Sequence, residues 1–266
     1  MERKQTYPTT CLDGWCALVT GASSGIGEAC AWRLAKENVK LVLVARRIDR
    51  LKQLQEEIQT TYPNAKLHLV NMDVRDTERV KTFLEDLPEE FRQIDILINN
   101  AGLALGVASV DTNDLEQAKT MIDTNVTALI AFTRTITPGM VDRRKGHIVN
   151  LGSVAGHEAY AQGSVYCASK FAVDAFTTAC RHDLMDSPIR VTVISPGAVN
   201  TEFSTVRYGG DKQRADAFYE GFDPLLAEDI ADNVMYALTR PPHVQICDIL
   251  VYATRQSGAK NIACHV

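Results

Sequence analysis

The chain is short of positive charge, proline and long apolar runs. Its 28 Lys and Arg are outnumbered by 33 Asp and Glu, giving a net charge of −5 over 266 residues. That balance argues against a nucleic-acid partner, which asks for a basic stripe. No apolar run reaches the roughly 20 residues that span a bilayer, so no membrane partner is expected. With 9 prolines and no Pro/Gly/Ser-rich tract, nothing reads as an interdomain linker.

Cysteine is scattered at Cys11, Cys16, Cys30, Cys167, Cys180, Cys247 and Cys264. An odd count without zinc-finger spacing excludes a disulfide framework and fits free thiols in a reducing, cytoplasmic setting. Neither Cys11 and Cys16 nor the six histidines show metal-ligand spacing, and no metal is expected. The polar start, Met1 to Thr10, reads as neither a signal peptide nor an anchor. The end lacks a cysteine four residues from the terminus, so no prenyl site is expected.

What is present is an alternation of short β-branched runs and longer amphipathic stretches. Strands are expected at 16–20, 40–45, 67–72, 95–99, 147–151, 190–194 and 246–252. Helices are expected at about 25–37, 48–61, 114–144, 163–186 and 227–239. The run KLVLVA at 40–45 is almost wholly apolar, as in a parallel strand covered on both faces. Seven strands with interleaved helices predict an α/β fold: one doubly wound Rossmann-type parallel sheet with helices on both faces. A tail, 1–13, precedes a single catalytic domain, 14–266. The least regular stretch, about 200–223, follows the sixth strand at the ligand-binding edge and reads as a mobile substrate flap; a plain solvated excursion is the alternative.

Between the first strand and the first helix lies TGASSGIG, 20–27. Gly21, Gly25 and Gly27 allow a tight turn, and the helix start with Ser23, Ser24 and Ile26 offers free N–H groups to a phosphate. The second strand ends in Ala45-Arg46-Arg47, where NAD-selective sheets usually carry an acid. Two guanidinium groups suit the additional phosphate of NADP instead; a solvated helix start is the bland reading. Further on, Tyr166 and Lys170 are four apart in a predicted helix and share a face. A phenol ionises near pH 10, too high for a neutral-pH base, and an adjacent ammonium would lower it. Ser153 offers a hydroxyl at the end of the fifth strand. A lone Tyr-x-x-x-Lys means little; the conjunction carries weight.

From about Gly14 to Tyr252 the sequence resembles the short-chain dehydrogenase/reductase family. TGASSGIG, NNAG at 99–102, Asn125 in MIDTNV, Ser153, Tyr166 with Lys170, and Ser195-Pro196-Gly197 followed by Val199 and Thr201 stand in the family's order. The resemblance implies that Tyr166 is the acid/base, that Ser153 orients the reacting oxygen, and that Lys170 holds the nicotinamide ribose and depresses the tyrosine pKa. It implies that Asn125 holds a relay water, that Asp73 with Val74 contacts adenine, and that Asn100, Ala101 and Gly102 line the cofactor. Pro196, Gly197, Val199 and Thr201 would flank the nicotinamide, and a homotetramer is implied.

A narrower resemblance, in DILINNAGLALG at 95–106, MIDTNVTALI and TEFSTVRY at 201–208, is to NADP-dependent 3-hydroxy acid dehydrogenases acting on L-serine or L-allo-threonine. Such substrates carry a carboxylate, for which Arg207 is the candidate cation; a surface arginine paired with Glu202 or Asp211 is the alternative. A reductase of a larger ketone would use the same catalytic residues, and a sensor without turnover would be expected to have lost one of them.

Overall fold

The computed structural model describes residues 7–264; the first six residues of the expected tail and the last two of the chain lie outside it. The seven strands are β1 (Cys16–Thr20), β2 (Lys40–Ala45), β3 (Leu67–Asn71), β4 (Ile96–Asn99), β5 (His147–Leu151), β6 (Arg190–Pro196) and β7 (Asp248–Val251). They form one parallel sheet in the order β3-β2-β1-β4-β5-β6-β7. The order reverses between β1 and β4, which opens a crevice at their carboxyl ends.

Alternation along the strands sorts the core into two layers. Ala17, Val19, Leu41, Leu43, Ile96 and Ile98 face one side. There they meet α1 (Gly25–Lys36), α2 (Ile48–Thr61) and α9 (Ala227–Leu238) through Leu34, Ile58, Ile230 and Val234. Cys16, Leu18, Val42, Val44, Leu97 and Ile148 face the other side. They pack on α3 (Thr77–Lys81), α5 (Ala128–Arg143) and α6 (Ser164–Asp183) through Val80, Phe132, Ile136, Met140 and Cys180.

Arg190 ties the sheet to α9. Its guanidinium, buried at the start of β6, donates to the carbonyls of Ala237 and Leu238 at 3.3 and 2.8 Å and to Arg240 O at 3.1 Å. The last carbonyls of a helix lack intrahelical partners, and a cation there also meets the negative end of the helix dipole.

Two expectations are revised. The long helix expected at 114–144 is α4 (Leu115–Ile122), a π-helical turn (Asp123–Thr127) and α5 in succession. The irregular stretch at 200–223 holds two short helices, α7 (Glu202–Arg207) and α8 (Lys212–Ala217), each begun by a side-chain cap, Thr201 or Asp211. Six residues are too few to show helical periodicity, and the glycines between them masked both.

Candidate active site

β1 ends at Thr20, and the chain turns through Gly21 with φ of +67°. A Cβ on Gly21 would stand 2.9 Å from the Cα of Ala101, so only glycine lets this turn press on the end of β4. Gly27 is equally constrained: its Cβ would lie 2.5 Å from Gly21 O. Its place is in this packing, away from the groove itself. The hydroxyl of Thr20 accepts the N–H groups of Asn100 and Ala101 at 3.0 and 3.1 Å. Asn100 Nδ2 returns bonds to Thr20 O and Gly21 O at 2.9 and 3.1 Å. The crevice floor is thereby fixed. Ser24, at the N-cap of α1, makes no side-chain cap, which leaves the first N–H groups of that helix open to an anion.

Arg46 and Arg47 are exposed at the end of β2. Arg47 donates to Ser23 Oγ at 3.2 Å, to Ser24 Oγ at 2.7 Å and to Glu202 Oε2 at 2.8 Å. Arg50 reaches the other oxygen of Glu202 at 3.4 Å. The Arg47 hydrogen bond holds the Glu202 carboxyl below its usual range. Asp73 pairs with Arg75 at 2.6 Å, which lowers its own carboxyl, and Arg46 contributes a smaller field. Ser23, Ser24, Arg46, Arg47, Asp73 and Val74 line one wall of a cavity of about 410 Å³. Gly21, Gly25, Ile26 and Asn100 to Gly102 line its floor; Pro196, Gly197, Val199 and Thr201 line the opposite wall.

At the inner end stand Ser153, just past β5, and Tyr166 and Lys170, one turn apart on α6. Each is under a tenth exposed. Ser153 Oγ donates to Pro196 O at 3.5 Å and accepts the N–H of Ala155 at 3.1 Å. Lys170 Nζ donates to Leu151 O at 2.7 Å and lies 5.9 Å from the Tyr166 ring centre. Burial pushes the Tyr166 phenol up, against the downward pull of Ser153. Burial also brings the Lys170 ammonium down to about 8. The expected depression of Tyr166 by Lys170 does not show in the bare chain, where loss of water outweighs the downward pulls of Ser153 and Arg207.

Asn125 lies beneath this site, in the π turn, and does not line the cavity; its neighbour Thr124 does. Its Oδ1 accepts the N–H of Leu103 at 2.8 Å, and its Nδ2 donates to Leu103 O at 2.8 Å and Ser169 Oγ at 3.0 Å. Both amide hydrogens are committed. The side chain thus ties the segment after β4 to α6.

The outer end is built from α7 and the C-terminal segment. Arg207 is half-buried, and its Nη1 donates to the Tyr160 hydroxyl at 2.9 Å. Its guanidinium carbon lies 5.8 Å from the Tyr166 ring centre. Its Nε is buried without a hydrogen-bond partner. The surface-pairing alternative falls away: Glu202 is bound to Arg47 and Arg50, and Asp211 caps α8. Among the described residues, Arg207 forms no ion pair with a carboxylate. Tyr219 ties α7 to the end of the sheet, donating to Val199 O at 2.7 Å and lying 2.6 Å from Ser204 Oγ. Sequence reasoning missed Tyr160, Tyr219 and Lys260, all at the cavity. They sit in segments without periodic pattern, so no local signal marks them.

The comparisons agree with this geometry. The family model described as short chain dehydrogenase matches residues 15–209. An NADP-dependent 3-hydroxy acid dehydrogenase of Schizosaccharomyces pombe is 46% identical over 252 residues, 94% of this chain and 97% of the relative. A sulfoacetaldehyde reductase of Chromohalobacter salexigens is 44% identical, covering 91% of this chain and 95% of its own. The closed form of a serine dehydrogenase complexed with NADP+ superposes with a TM-score of 0.87 at 40% identity, over 94% of this chain and 99% of that one. By sequence and by fold, the chain belongs to the short-chain dehydrogenase family.

Proposed function

We propose that this enzyme is an NADP-dependent oxidoreductase of short 3-hydroxy acids such as L-serine or L-allo-threonine, reversibly oxidising the secondary or primary alcohol. One observation carries the substrate class. Arg207 presents a half-buried guanidinium with an unbonded Nε, unpaired with any described carboxylate and close to Tyr166. A buried unsatisfied donor is costly, and a substrate carboxylate would satisfy it. A pocket made for a larger neutral ketone has no use for that cation. The Schizosaccharomyces pombe relative at 46% identity, an NADP-dependent 3-hydroxy acid dehydrogenase, and the serine dehydrogenase neighbour support the same reading.

The residues present fit NADP. Gly21 and Gly25 line the cavity at the uncapped start of α1, and Arg46 and Arg47 stand where an adenosine phosphate needs cations. When bound, the cofactor supplies the hydride acceptor and, oxidised, a positive charge beside the phenol. Tyr166 takes the hydroxyl proton, Ser153 donates to the reacting oxygen, and Lys170 holds a ribose hydroxyl. Lys170 can shed a proton near neutrality because burial has brought it to about 8. Asn125 acts by positioning, its side chain holding Leu103 and Ser169 around the lysine.

Residues 200–223 serve as the substrate flap of one catalytic domain. A homotetramer built on α5 and α6 is supported by exposed Ile130, Val141 and Phe171, with Ala168, Ala175 and Ala179 outward on α6. A cytoplasmic location is supported by seven unpaired cysteines, three of them exposed. The deciding experiment mixes the protein with NADP+ and L-serine, L-allo-threonine or 3-hydroxybutyrate, with NAD+ and simple secondary alcohols alongside. NADPH formation on the acids is expected; turnover of bulky neutral ketones alone would replace this reading with the ketone reductase.

A further inference from the structure

Beyond β7 the chain does not trail away. Gln256 and Ile262 pair in an antiparallel bridge, and Ala263 N–H donates to Arg255 O at 2.9 Å. The resulting hairpin is fastened to the cofactor-facing end of β6: Gln256, buried, accepts the Ala198 N–H at 2.9 Å. It is fastened on its other side by Glu158, which accepts the Ala259 N–H at 2.9 Å. These ties set the position of the residue at the hairpin tip, Lys260.

Lys260 stands at the mouth of the cavity, its ammonium 4.8 Å from the centre of the Tyr160 ring and 5.7 Å from that of Phe218. The same Tyr160 ring has the Arg207 guanidinium 5.5 Å from its centre. Two cations therefore flank one aromatic side chain, and neither is paired with a carboxylate among the described residues. Their fields reach each other: partial burial and Arg207 both bring the Lys260 ammonium down. Like charges this close are unfavourable unless an anion sits between them.

We infer that Lys260 is the second cation of the substrate seat, joining Arg207 in holding the acid group and making the C-terminal hairpin a specificity element. The inference rests on the hydroxy-acid reading above. The division of labour follows from chemistry. A carboxylate offers about four lone-pair sites. The guanidinium near Tyr166 takes a planar pair of these and fixes where the alcohol carbon lies. The ammonium at the rim, a compact charge without a preferred plane, takes an oxygen left facing the mouth. Arg207 thus governs alignment with Tyr166, whereas Lys260 governs capture and retention.

The test compares kcat/KM for 3-hydroxybutyrate with that for 2-butanol, the neutral alcohol of equal chain length, in the wild-type enzyme, Lys260→Met and Lys260→Arg. A half-exposed ion pair predicts that the preference for the acid falls roughly three- to tenfold in Lys260→Met, through KM more than kcat. Lys260→Arg should restore most of it. A preference unchanged in Lys260→Met, with the wild type favouring the acid, would overturn the role of Lys260 alone. A wild-type enzyme with no preference for the acid would overturn the hydroxy-acid reading and this inference together. Equal loss on both alcohols would reduce Lys260 to a support for the hairpin.

Discussion

Replacing Arg207 by methionine removes the charge at the centre of the proposed seat while keeping a side chain of similar reach. In the free enzyme the change is nearly balanced. The bond from Nη1 to Tyr160 is lost, but so is the buried Nε that has no partner. Each is worth about 1 kcal/mol, with opposite sign, so the melting temperature should move by only a few degrees. With a hydroxy acid bound, the balance is one-sided. Charge-assisted bonds to a carboxylate contribute about 1.5–3 kcal/mol, and at about 1.4 kcal/mol per decade this predicts a loss of roughly 10- to 100-fold in kcat/KM. Initial rates of NADPH formation on L-serine and 3-hydroxybutyrate would show it, with KM for NADP+ as an internal control. Because the guanidinium lies beside Tyr166, part of the loss should fall on kcat through misalignment. A neutral secondary alcohol should lose far less. An equal loss on acids and neutral alcohols, at unchanged melting temperature, would refute a carboxylate role for Arg207.

Lys170→Met should abolish turnover yet stabilise the fold at pH 7. The ammonium's folded-state pKa of about 8 lies below its ordinary value of 10.5, so the folded chain carries the full cost of that charge below pH 8 and sheds it as pH rises toward 10.5. That shift is worth about 3 kcal/mol, less about 1 for the lost bond to Leu151 O, and denaturant titration should find a gain of about 2 kcal/mol that disappears above pH 10. Arg46→Ala combined with Arg47→Ala should lower the preference for NADP+ over NAD+ by roughly 10- to 100-fold in kcat/KM, the range for charge-assisted phosphate bonds; an unchanged ratio would move the phosphate site elsewhere. Arg190→Met should cost about 3 kcal/mol by leaving the end of α9 unpartnered, seen as a melting temperature lower by roughly 6–12 °C. An unchanged transition would mean that water serves those carbonyls equally well.

The sheet was legible because its inner strands are buried on both faces, which leaves runs of mostly β-branched and apolar residues such as Leu41–Ala45. The proposed catalytic trio was legible for another reason: Tyr166 and Lys170 are linked by helix spacing, and Ser153 follows a recognisable strand. The substrate end was less so. Arg207 stood out only through resemblance, and Lys260 lies in a hairpin whose position depends on bonds between residues far apart in sequence, Gln256 to Ala198 and Ala259 to Glu158. The sign of the Tyr166 shift was also out of reach, since it depends on how completely α6 and its neighbours exclude water.

The π-helical turn at Asp123–Thr127 has a consequence for how this gene can vary in length. A π turn holds one residue more than an α turn, and each helical residue rotates the chain by about 100°. That extra residue is what lets Met121, on α4, and Phe132, Ile136 and Met140, on α5, all face inward along a continuous helical path. Deleting a single codon here would leave the helix intact as a helix yet swing every inward side chain of α5 a quarter-turn or more off the sheet. Ordinary substitutions at its exposed positions carry no such penalty. Within 115–143, the exposed positions are therefore open to substitution, whereas the length of the segment is not free to change.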